Sequence, residues 1–195
     1  MYGRAMSLRI TGGRLRGRRI AAPKGDGVRP TTGRVREAVF SILGQHLDGW
    51  RVLDLCAGAG TLGIEAASRG ASEVVFVERA RDHLRILRDN AALLRDVAEV
   101  EIKPTDALRA VAGLVRQGRT FDLVLLDPPY GKGLAASLVE AIGTADGLLS
   151  DGAVVVAETG PREVLPETVG ALVRGAAREY GDTSVWIYRR DAGEA

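Results

Sequence analysis

The segment Phe121–Tyr130 joins an apolar run to four residues that could do chemistry. Six residues typical of a strand precede Asp127-Pro128-Pro129-Tyr130, and in an open α/β sheet such a strand end lies where ligands bind. Asp127 and the Pro128 carbonyl can each accept a hydrogen bond from an amine, and the Tyr130 ring offers a flat stacking face. The segment predicts a pocket for a planar group that carries an amine, such as a nucleobase. The alternative is a simple turn after a buried strand.

Carboxylates also stand at or near the ends of three other predicted strands. In a parallel sheet the carboxyl ends of the strands share one edge, so these side chains should converge on one elongated ligand. The four acidic residues are Asp54, Glu78, Asp106 and Asp127.

A glycine-rich loop lies between the first two of these strands. Gly58, Gly60 and Gly63 allow the backbone to approach a ligand closely before a helix begins. Glu78 follows Gly58 by 20 residues, a position from which a ribose diol is usually held, and Asp106 could accept from an adenine amine. The loop alone is compatible with NAD and with other adenosine ligands. The Asp-Pro-Pro-Tyr strand end, the basic amino-terminal segment and the lack of a recognisable hydride-transfer arrangement favour S-adenosylmethionine.

Charge is distributed unevenly along the chain. Residues 1–36 hold ten basic residues and one acidic residue, whereas the rest holds 17 basic and 24 acidic residues. A basic segment on an acidic body indicates a polyanion bound at one edge of the molecule. Of the 27 basic residues 24 are arginine, whose planar side chain pairs with phosphate and stacks on bases. We therefore expect a nucleic-acid partner.

Length and composition set further bounds. The 195 residues, 46% of them hydrophobic, suit one domain with a sizeable core and a short appendage. No apolar stretch approaches the ~18 residues of a membrane span, and no apolar signal core is found near residue 1, so we expect a cytoplasmic protein without membrane contact. We also expect a monomer. With one cysteine and two histidines we expect no metal, and His83 is predicted to face solvent.

Alternating strand-like and helix-like runs from Arg51 onward predict a mostly parallel sheet with right-handed crossovers. The predicted strands are Val52–Leu55, Glu73–Val77, Val100–Lys103, Phe121–Leu126 and Ala153–Ala157. One predicted helix ends near Ser68, and the next carries Leu84, Leu87, Ala91 and Leu94 on one face. Two further predicted helices cover about Ala107–Arg116 and Leu134–Ile142. The runs Ala171–Tyr180 and Ser184–Arg189 lie too close together for an intervening helix and predict an antiparallel pair at the edge of the sheet.

The amino-terminal segment is predicted to form a hairpin arm. Basic and apolar residues alternate from Leu8 to Ile20 around Gly12 and Gly13, which indicates two short strands joined by a tight turn. A helix capped by Thr31 or Thr32 should follow, with Val35, Val39, Ile42 and Leu43 facing inward. We expect residues 1–33 to form this arm and its loop, and residues 34–195 to form the main domain.

Several segments resemble the RsmD family of 16S ribosomal RNA guanine-N2 methyltransferases, within class I of the S-adenosylmethionine-dependent methyltransferases. They are Arg9–Arg18, Arg29–Thr32, Arg34–Phe40, Asp54–Gly63 and Asp127–Tyr130. The amino-terminal segments are specific to that family, whereas the last two are shared by many amino-methyltransferases. The resemblance covers nearly the whole chain. It implies a Rossmann-like α/β fold with a mostly parallel seven-stranded sheet, antiparallel at its C-terminal edge, and a small hairpin arm.

The resemblance also implies roles for particular residues. Asp54 and the backbone of residues 56–60 would hold the methionine part of S-adenosylmethionine, Glu78 the ribose hydroxyls, and Asp106 with Ala107 the adenine. The implied cofactor residues are Asp54, Cys56, Ala57, Gly58, Ala59, Gly60, Glu78, Arg79, Asp106 and Ala107. The implied catalytic residues, which would hold the guanine amine, are Asp127, Pro128, Pro129 and Tyr130. Cys56 stands where many relatives in the wider class have glycine, and we interpret it as a small apolar filler rather than a nucleophile.

The implied partner is 16S ribosomal RNA or the small ribosomal subunit, and the implied product of the cofactor is S-adenosylhomocysteine. The predicted RNA-binding residues are Arg9, Arg14, Arg16, Arg18, Arg19, Arg29, Arg34 and Arg36. Two alternatives stay open. A DNA amino-methyltransferase acting on adenine N6 or cytosine N4 would share Asp-Pro-Pro-Tyr but usually needs a sequence-reading domain, and a non-enzymatic RNA module could bind an adenosine ligand. An NAD oxidoreductase ranks below both.

Overall fold

The computed structural model describes residues 7–22 and 33–190 of the chain. Within them the strands are β1 (Ser7–Arg9), β2 (Arg19–Ala21), β3 (Arg51–Leu55), β4 (Glu73–Val77), β5 (Glu99–Lys103), β6 (Phe121–Leu126), β7 (Leu149–Thr159), β8 (Thr168–Val169), β9 (Leu172–Arg174), β10 (Arg178–Tyr180) and β11 (Thr183–Arg190). The helices are α1 (Gly33–Leu43), α2 (Thr61–Ser68), α3 (Arg81–Ala91), α4 (Ala107–Arg116) and α5 (Leu134–Gly143), and a 3-10 turn spans Ala92–Leu94. None of these helices is long and apolar enough to cross a membrane.

Strands β3 to β11 form one sheet in the order β5-β4-β3-β6-β7-β11-β9-β8, with β10 also paired to β11. Neighbouring strands from β5 to β7 are parallel, and β11 runs antiparallel to β7. The predicted mostly parallel sheet with an antiparallel C-terminal edge is confirmed. Because the chain moves outward from β3 to β5 and then returns to β6, the strand order reverses between β3 and β6, where α/β sheets bind ligands.

The C-terminal edge is more divided than the sequence indicates. The predicted run from Ala171 to Tyr180 forms two short strands, β9 and β10, on the same edge of β11. The pairing register shifts by one residue between them, as at a β-bulge, and the intervening Gly175-Ala176-Ala177 has little side chain to pack. The short strand β8 extends the edge, so the sheet counts nine strands in the described part of the chain.

Helices cover both faces of the sheet. Alternate strand residues such as Val52 and Val74 pack with α1, α2, α3 and the arm, whereas Leu53 and Val75 pack with α4 and α5. This arrangement explains why the central strands read as continuous apolar runs, since both of their faces are buried. In α1, Val35 and Val39 are buried as predicted, while the proposed caps Thr31 and Thr32 lie outside the described residues.

The described part of the arm, residues 7–22, packs on the main domain. Strands β1 and β2 pair antiparallel, but nine residues connect them instead of the predicted tight turn. The Gly12-Gly13 pair serves this docking: Gly13 has a φ of 73°, and a Cβ there would lie 1.8 Å from the Ser68 carbonyl oxygen at the end of α2. The Arg14 amide donates to that same oxygen at 2.7 Å. The division of the chain after residue 33 stays a prediction.

A buried carboxylate anchors the arm. Glu65 on α2 is 1% exposed and accepts hydrogen bonds from the Thr11 amide, the Thr11 hydroxyl and the Gly12 amide at 2.6–3.1 Å. It also pairs with Arg69 at 3.0 Å, and Arg36 Nε lies 3.8 Å away. Arg36 is itself 1% exposed and donates to the Arg9 carbonyl. The expected RNA contact of Arg36 is therefore wrong, because its side chain faces the interior.

Candidate active site

The carboxyl ends of β3, β4, β5 and β6 meet at one edge of the sheet, which we call the strand-end edge. Leu55 pairs in register with Val77 and Leu126, so the residues that follow these positions lie side by side. Glu78 and Asp127 are the first residues after β4 and β6, and Asp54 is the last but one in β3. The structure therefore brings together the acidic residues that the sequence assigned to separate strand ends.

The Cys56 thiol lies near enough to these carboxylates for their charges to act on it. Burial and, to a smaller extent, the negative charges of Glu78, Asp54, Asp127 and Asp106 together raise the pKa of Cys56 to about 12. A thiol with such a pKa stays protonated at neutral pH and is a poor nucleophile. This agrees with the interpretation of Cys56 as a filler.

The glycine loop, Cys56–Gly60, turns sharply between β3 and α2. Cys56, Gly58 and Gly60 have φ values of 61°, 57° and 80°, in the left-handed region that only glycine adopts without strain. The Gly58 amide donates to Glu78 Oε2 at 2.8 Å, and the Gly60 amide donates to the Ala57 carbonyl at 2.7 Å. The loop is thus held by β4 and by its own backbone.

Asp54 lies beneath this loop. Its side chain is 1% exposed, and Oδ2 accepts from the Gly63 amide at 2.9 Å. The pKa of Asp54 is raised to about 8, mainly by burial and to a smaller extent by the charges of Asp127 and Glu78, although the Gly63 hydrogen bond acts in the opposite direction. Asp54 can therefore hold a proton near neutral pH and release it when a positive charge approaches.

Glu78 is fixed by backbone amides on both of its oxygens. Oε1 accepts from the amides of Arg79 and Ala80 at 2.7 Å, and Oε2 accepts from Gly58. His83, in the first turn of α3, places Nδ1 3.5 Å from Oε2 and is 25% exposed. The prediction that His83 faces solvent is wrong, because the start of α3 follows the end of β4 after only three residues.

Asp106 caps α4. Its Oδ1 accepts from the Leu108 amide at 3.0 Å, and its Oδ2 lies 3.7 Å from Arg79 Nη1. This arrangement orients the carboxylate at the strand-end edge and brings the exposed Arg79 beside it. Ala107, the next residue, is buried.

The segment Asp127–Tyr130 leaves the sheet beside these groups. Pro128 is buried and Asp127 is half-buried, while Pro129 and Tyr130 reach the surface. The Tyr130 hydroxyl lies 3.2 Å from Thr183 Oγ1, and its ring packs on Gly160, where a Cβ would be 3.5 Å away. The ring is thus held at two points and remains 36% exposed, so it can offer a surface to a planar group.

The loop after Tyr130 is tied to the segment after β7, since the Gly131 amide donates to Glu163 Oε2 at 3.2 Å. Sequence reasoning did not identify Thr183 or Glu163 because each acts across a long sequence separation on a residue in another loop. Glu158, near the end of β7, is buried, and its charge favours the charged form of Arg36.

The predicted RNA-binding arginines fall into three groups. Those that the structure places on the surface are Arg9, Arg14, Arg16, Arg18, Arg19 and Arg34. Arg36 is buried, and Arg29 lies outside the described residues. The arm therefore exposes most of the arginines that the sequence assigned to RNA binding. In the described ranges no group of three or more His, Cys, Asp or Glu side chains could hold a metal ion.

Comparisons with known proteins show the family of the chain. Residues 8–189 match the family described as Conserved hypothetical protein 95. The chain is 37% identical over 183 residues to the protein YlbH of Bacillus subtilis, covering 94% of this chain and 99% of that one. It is 31% identical over 185 residues to the Ribosomal RNA small subunit methyltransferase D of Escherichia coli, covering 95% and 91%.

Among solved structures, the yhhF protein of Escherichia coli superimposes with a TM-score of 0.81 at 32% identity, over 96% of this chain and 99% of that one. The likeness covers nearly the whole length of both chains, so it concerns the whole fold and not a shared nucleotide-binding core alone. By sequence and by structure, this chain belongs to the RsmD family of methyltransferases.

Proposed function

We propose that this protein transfers the methyl group of S-adenosylmethionine to the exocyclic N2 of a guanine in small-subunit ribosomal RNA. The observation that carries the proposal is the Asp127–Tyr130 segment, which ends its strand beside Glu78 and Asp54 and presents an aromatic ring at the surface. Support also comes from the Escherichia coli relative, which is named as a methyltransferase of the small ribosomal subunit RNA.

The strand-end edge suits the proposed cofactor. S-adenosylmethionine carries a positive sulfonium and an ammonium group, and four carboxylates lie near the glycine loop. A Cβ on Gly58 would meet no atom within 4 Å, so the loop backbone borders open space that a ligand could fill. In this proposal Asp54 and the glycine loop hold the methionine part, Glu78 and Arg79 the ribose, and Asp106 with Ala107 the adenine.

When bound, the cofactor supplies an electrophilic methyl group on sulfur. Asp127 and the Pro128 carbonyl accept the two hydrogens of the guanine amine, and Tyr130 stacks on the base. These contacts would aim the nitrogen lone pair at the methyl carbon that the cofactor supplies. Transfer would leave S-adenosylhomocysteine, and the methylated amine would release one proton to water. Asp127 orients the amine and stabilises the positive charge that develops on it. The main contribution of the chain is alignment, which is worth ~7 to 11 kcal/mol for well-placed reactants.

The substrate base must leave its stack to reach this segment. Turning a base out costs a few kcal/mol, which stacking on Tyr130 and phosphate contacts can offset. In the proposal these phosphate contacts come from the exposed arginines of the arm, Arg14, Arg16, Arg18 and Arg19 among them. An rRNA substrate implies a cytoplasmic protein; the monomeric state stays a prediction.

The direct test is incubation of the purified protein with radiolabelled S-adenosylmethionine and small ribosomal subunits that lack the modification, followed by nucleoside analysis. We expect N2-methylguanosine as the labelled product. The variant Asp127→Asn should lower kcat by roughly 100-fold or more, because asparagine keeps an acceptor oxygen but loses the negative charge that stabilises the amine as it becomes positive. Asp122→Asn is the matched control: it removes a carboxylate from the same strand, but at the opposite end, where Asp122 pairs with Arg51 at 3.1 Å.

Other outcomes would contradict the proposal. Labelled N6-methyladenine or N4-methylcytosine in duplex DNA, without methylation of subunits, would favour a DNA amino-methyltransferase. Absence of transfer to either substrate, despite cofactor binding, would favour the non-enzymatic RNA module. The relatives reported above support neither of these alternatives.

A further inference from the structure

Asn90 connects the glycine loop to the arm. It lies on α3 with 4% of its surface exposed, and its amide makes three hydrogen bonds. Nδ2 donates to the Ala59 carbonyl and to the Ala21 carbonyl, and Oδ1 accepts from the Ala21 amide, each at 2.9 Å. One planar group therefore holds a strand of the arm and a carbonyl of the loop at fixed relative positions.

On the loop side, Asn90 fixes one particular peptide group. The Ala59 carbonyl is bound by Asn90, and the amide of the same peptide, Gly60 N–H, donates to Ala57 at 2.7 Å. This peptide joins Ala59 to Gly60, whose positive φ of 80° glycine adopts without strain. The two hydrogen bonds hold the orientation of the peptide and, with it, the shape of the surface that the loop presents.

On the arm side, the contact resembles strand pairing. Both the amide and the carbonyl of Ala21, the last residue of β2, are satisfied by the Asn90 side chain. Other side chains that anchor the arm are Glu65 and Ser68 on α2, Arg69 just after it, and Arg36 on α1. Ser68 lies eight residues beyond Gly60, about 12 Å along the helix. Asn90 is thus the anchor that touches the arm and the loop with the same side chain.

We propose that Asn90 is a positioning residue that couples the two binding surfaces, so that cofactor and RNA bind with positive cooperativity. The inference rests on the proposed function, which takes the glycine loop as the cofactor site and the arm as the RNA surface. A ligand that orders the loop fixes the amide plane of Asn90 and, through Ala21, the end of β2. Binding of the second ligand then has to order less of the chain and costs less entropy. Each ligand must therefore raise the affinity of the other by the same factor.

The experiment measures the dissociation constant of unmodified small-subunit ribosomal RNA with and without saturating S-adenosylhomocysteine, and the reciprocal pair. In the natural protein we expect each ligand to tighten the other by about fivefold or more. In Asn90→Ala the ratio of the two constants should fall to within about twofold of one. Ser68→Ala is the matched control: it removes buried hydrogen bonds to Gly12 and Leu15 of the arm but none to the loop, so it should weaken RNA binding and keep the ratio.

A second variant guards against loss of folding. Asn90→Asp keeps the size and the acceptor for the Ala21 amide but cannot donate to Ala59, and it should also abolish the cooperativity. If both ligands bind the natural protein independently, or if both Asn90 variants keep the natural ratio, the inference is overturned while the proposed function stands. If the natural protein does not bind S-adenosylhomocysteine at all, the proposed function itself fails.

Discussion

Asp54 makes ligand binding at the strand-end edge dependent on pH. Burial raises its pKa to about 8, far above the ordinary value of 3.8. The folded protein therefore holds a proton that the unfolded chain releases, so stability falls as the pH rises from about 4 to about 8. A positively charged ligand favours the ionised carboxylate. Below pH 8 its binding must displace this proton, and its affinity should increase with pH.

We expect Asp54→Asn to separate these two effects. At pH 8.5 and without ligand, the free energy of unfolding of the variant should exceed that of the natural protein by on the order of 3 kcal/mol, because no buried charge forms in the variant. Its affinity for S-adenosylmethionine should be lower and nearly constant from pH 6 to 8, whereas that of the natural protein rises by up to about tenfold per pH unit. Denaturant titration and calorimetry measure the two quantities. An equally steep pH dependence in the variant would assign the proton to another group.

Strand-end acids could be predicted from the sequence, but the residues that hold the site together could not. Glu78 and Asp127 directly follow apolar runs, and the parallel topology places the ends of these strands at the same edge of the sheet. Asn90 contacts residues 31 and 69 positions away, and no local pattern indicates such partners. One signal was present: Asn90 falls on the apolar face of α3, next to Leu87 and Ala91, where a polar side chain needs a partner.

Among the secondary-structure elements, the arm and α2 fit each other through glycine. Gly13 and Gly17 both have positive φ, 73° and 82°, in the connection between β1 and β2. A Cβ on Gly13 would collide with the Ser68 carbonyl at 1.8 Å, whereas a Cβ on Gly17 would meet no atom within 4 Å. The two glycines therefore share a backbone requirement but differ in the space around them.

We expect Gly13→Ala to destabilise the protein much more than Gly17→Ala. The second variant carries only the left-handed strain of a non-glycine residue, about 1 to 2 kcal/mol. The first must also move the arm away from α2, which adds roughly 2 kcal/mol or more through lost buried hydrogen bonds. Denaturant unfolding gives the difference, and faster hydrogen exchange at Arg14 would locate it. Equal costs for the two variants would show that the docking is not tight.

Element positions were predictable to the extent that burial produces a sequence period. The strands of the parallel sheet and α3 to α5 fall where the apolar patterns put them. The arm differs, because Gly12-Gly13 is typical of a tight turn, while here α2 requires the close approach. The C-terminal edge differs because a one-residue register shift divides a run that looks continuous.

At the scale of the molecule, the described part of the arm and the strand-end edge differ in charge. The exposed arginines of the arm form a basic surface, whereas the strand-end edge collects carboxylates. A polyanion would be attracted to the first and repelled by the second, so a single base, and not the phosphate chain, should enter the acidic edge. Salt should weaken RNA binding through the arm and affect the site much less.

We expect the double variant Arg16→Gln/Arg18→Gln to reduce the slope of log affinity against log salt for single-stranded RNA by roughly 0.7 per lost phosphate contact. Affinity for S-adenosylhomocysteine should stay within about twofold. Arg109→Gln/Arg116→Gln, which removes the same charge from exposed positions on α4, is the matched control. Filter binding or anisotropy over a range of salt concentrations gives the slopes. Equal slopes for the two double variants would remove the arm from the RNA interface.

Because the carboxylate of Glu65 is buried against it, the arm should not tolerate removal from this protein or transfer to another one. Its donors are backbone and side-chain groups of Thr11 and Gly12, so a truncated chain that starts at α1 would leave an acid in the interior without them. Conversely, residues 7–22 grafted onto an unrelated enzyme would lack the acceptor around which they fold. Substitutions on the arm's outer surface, and not its excision, should therefore reveal what the arm recognises.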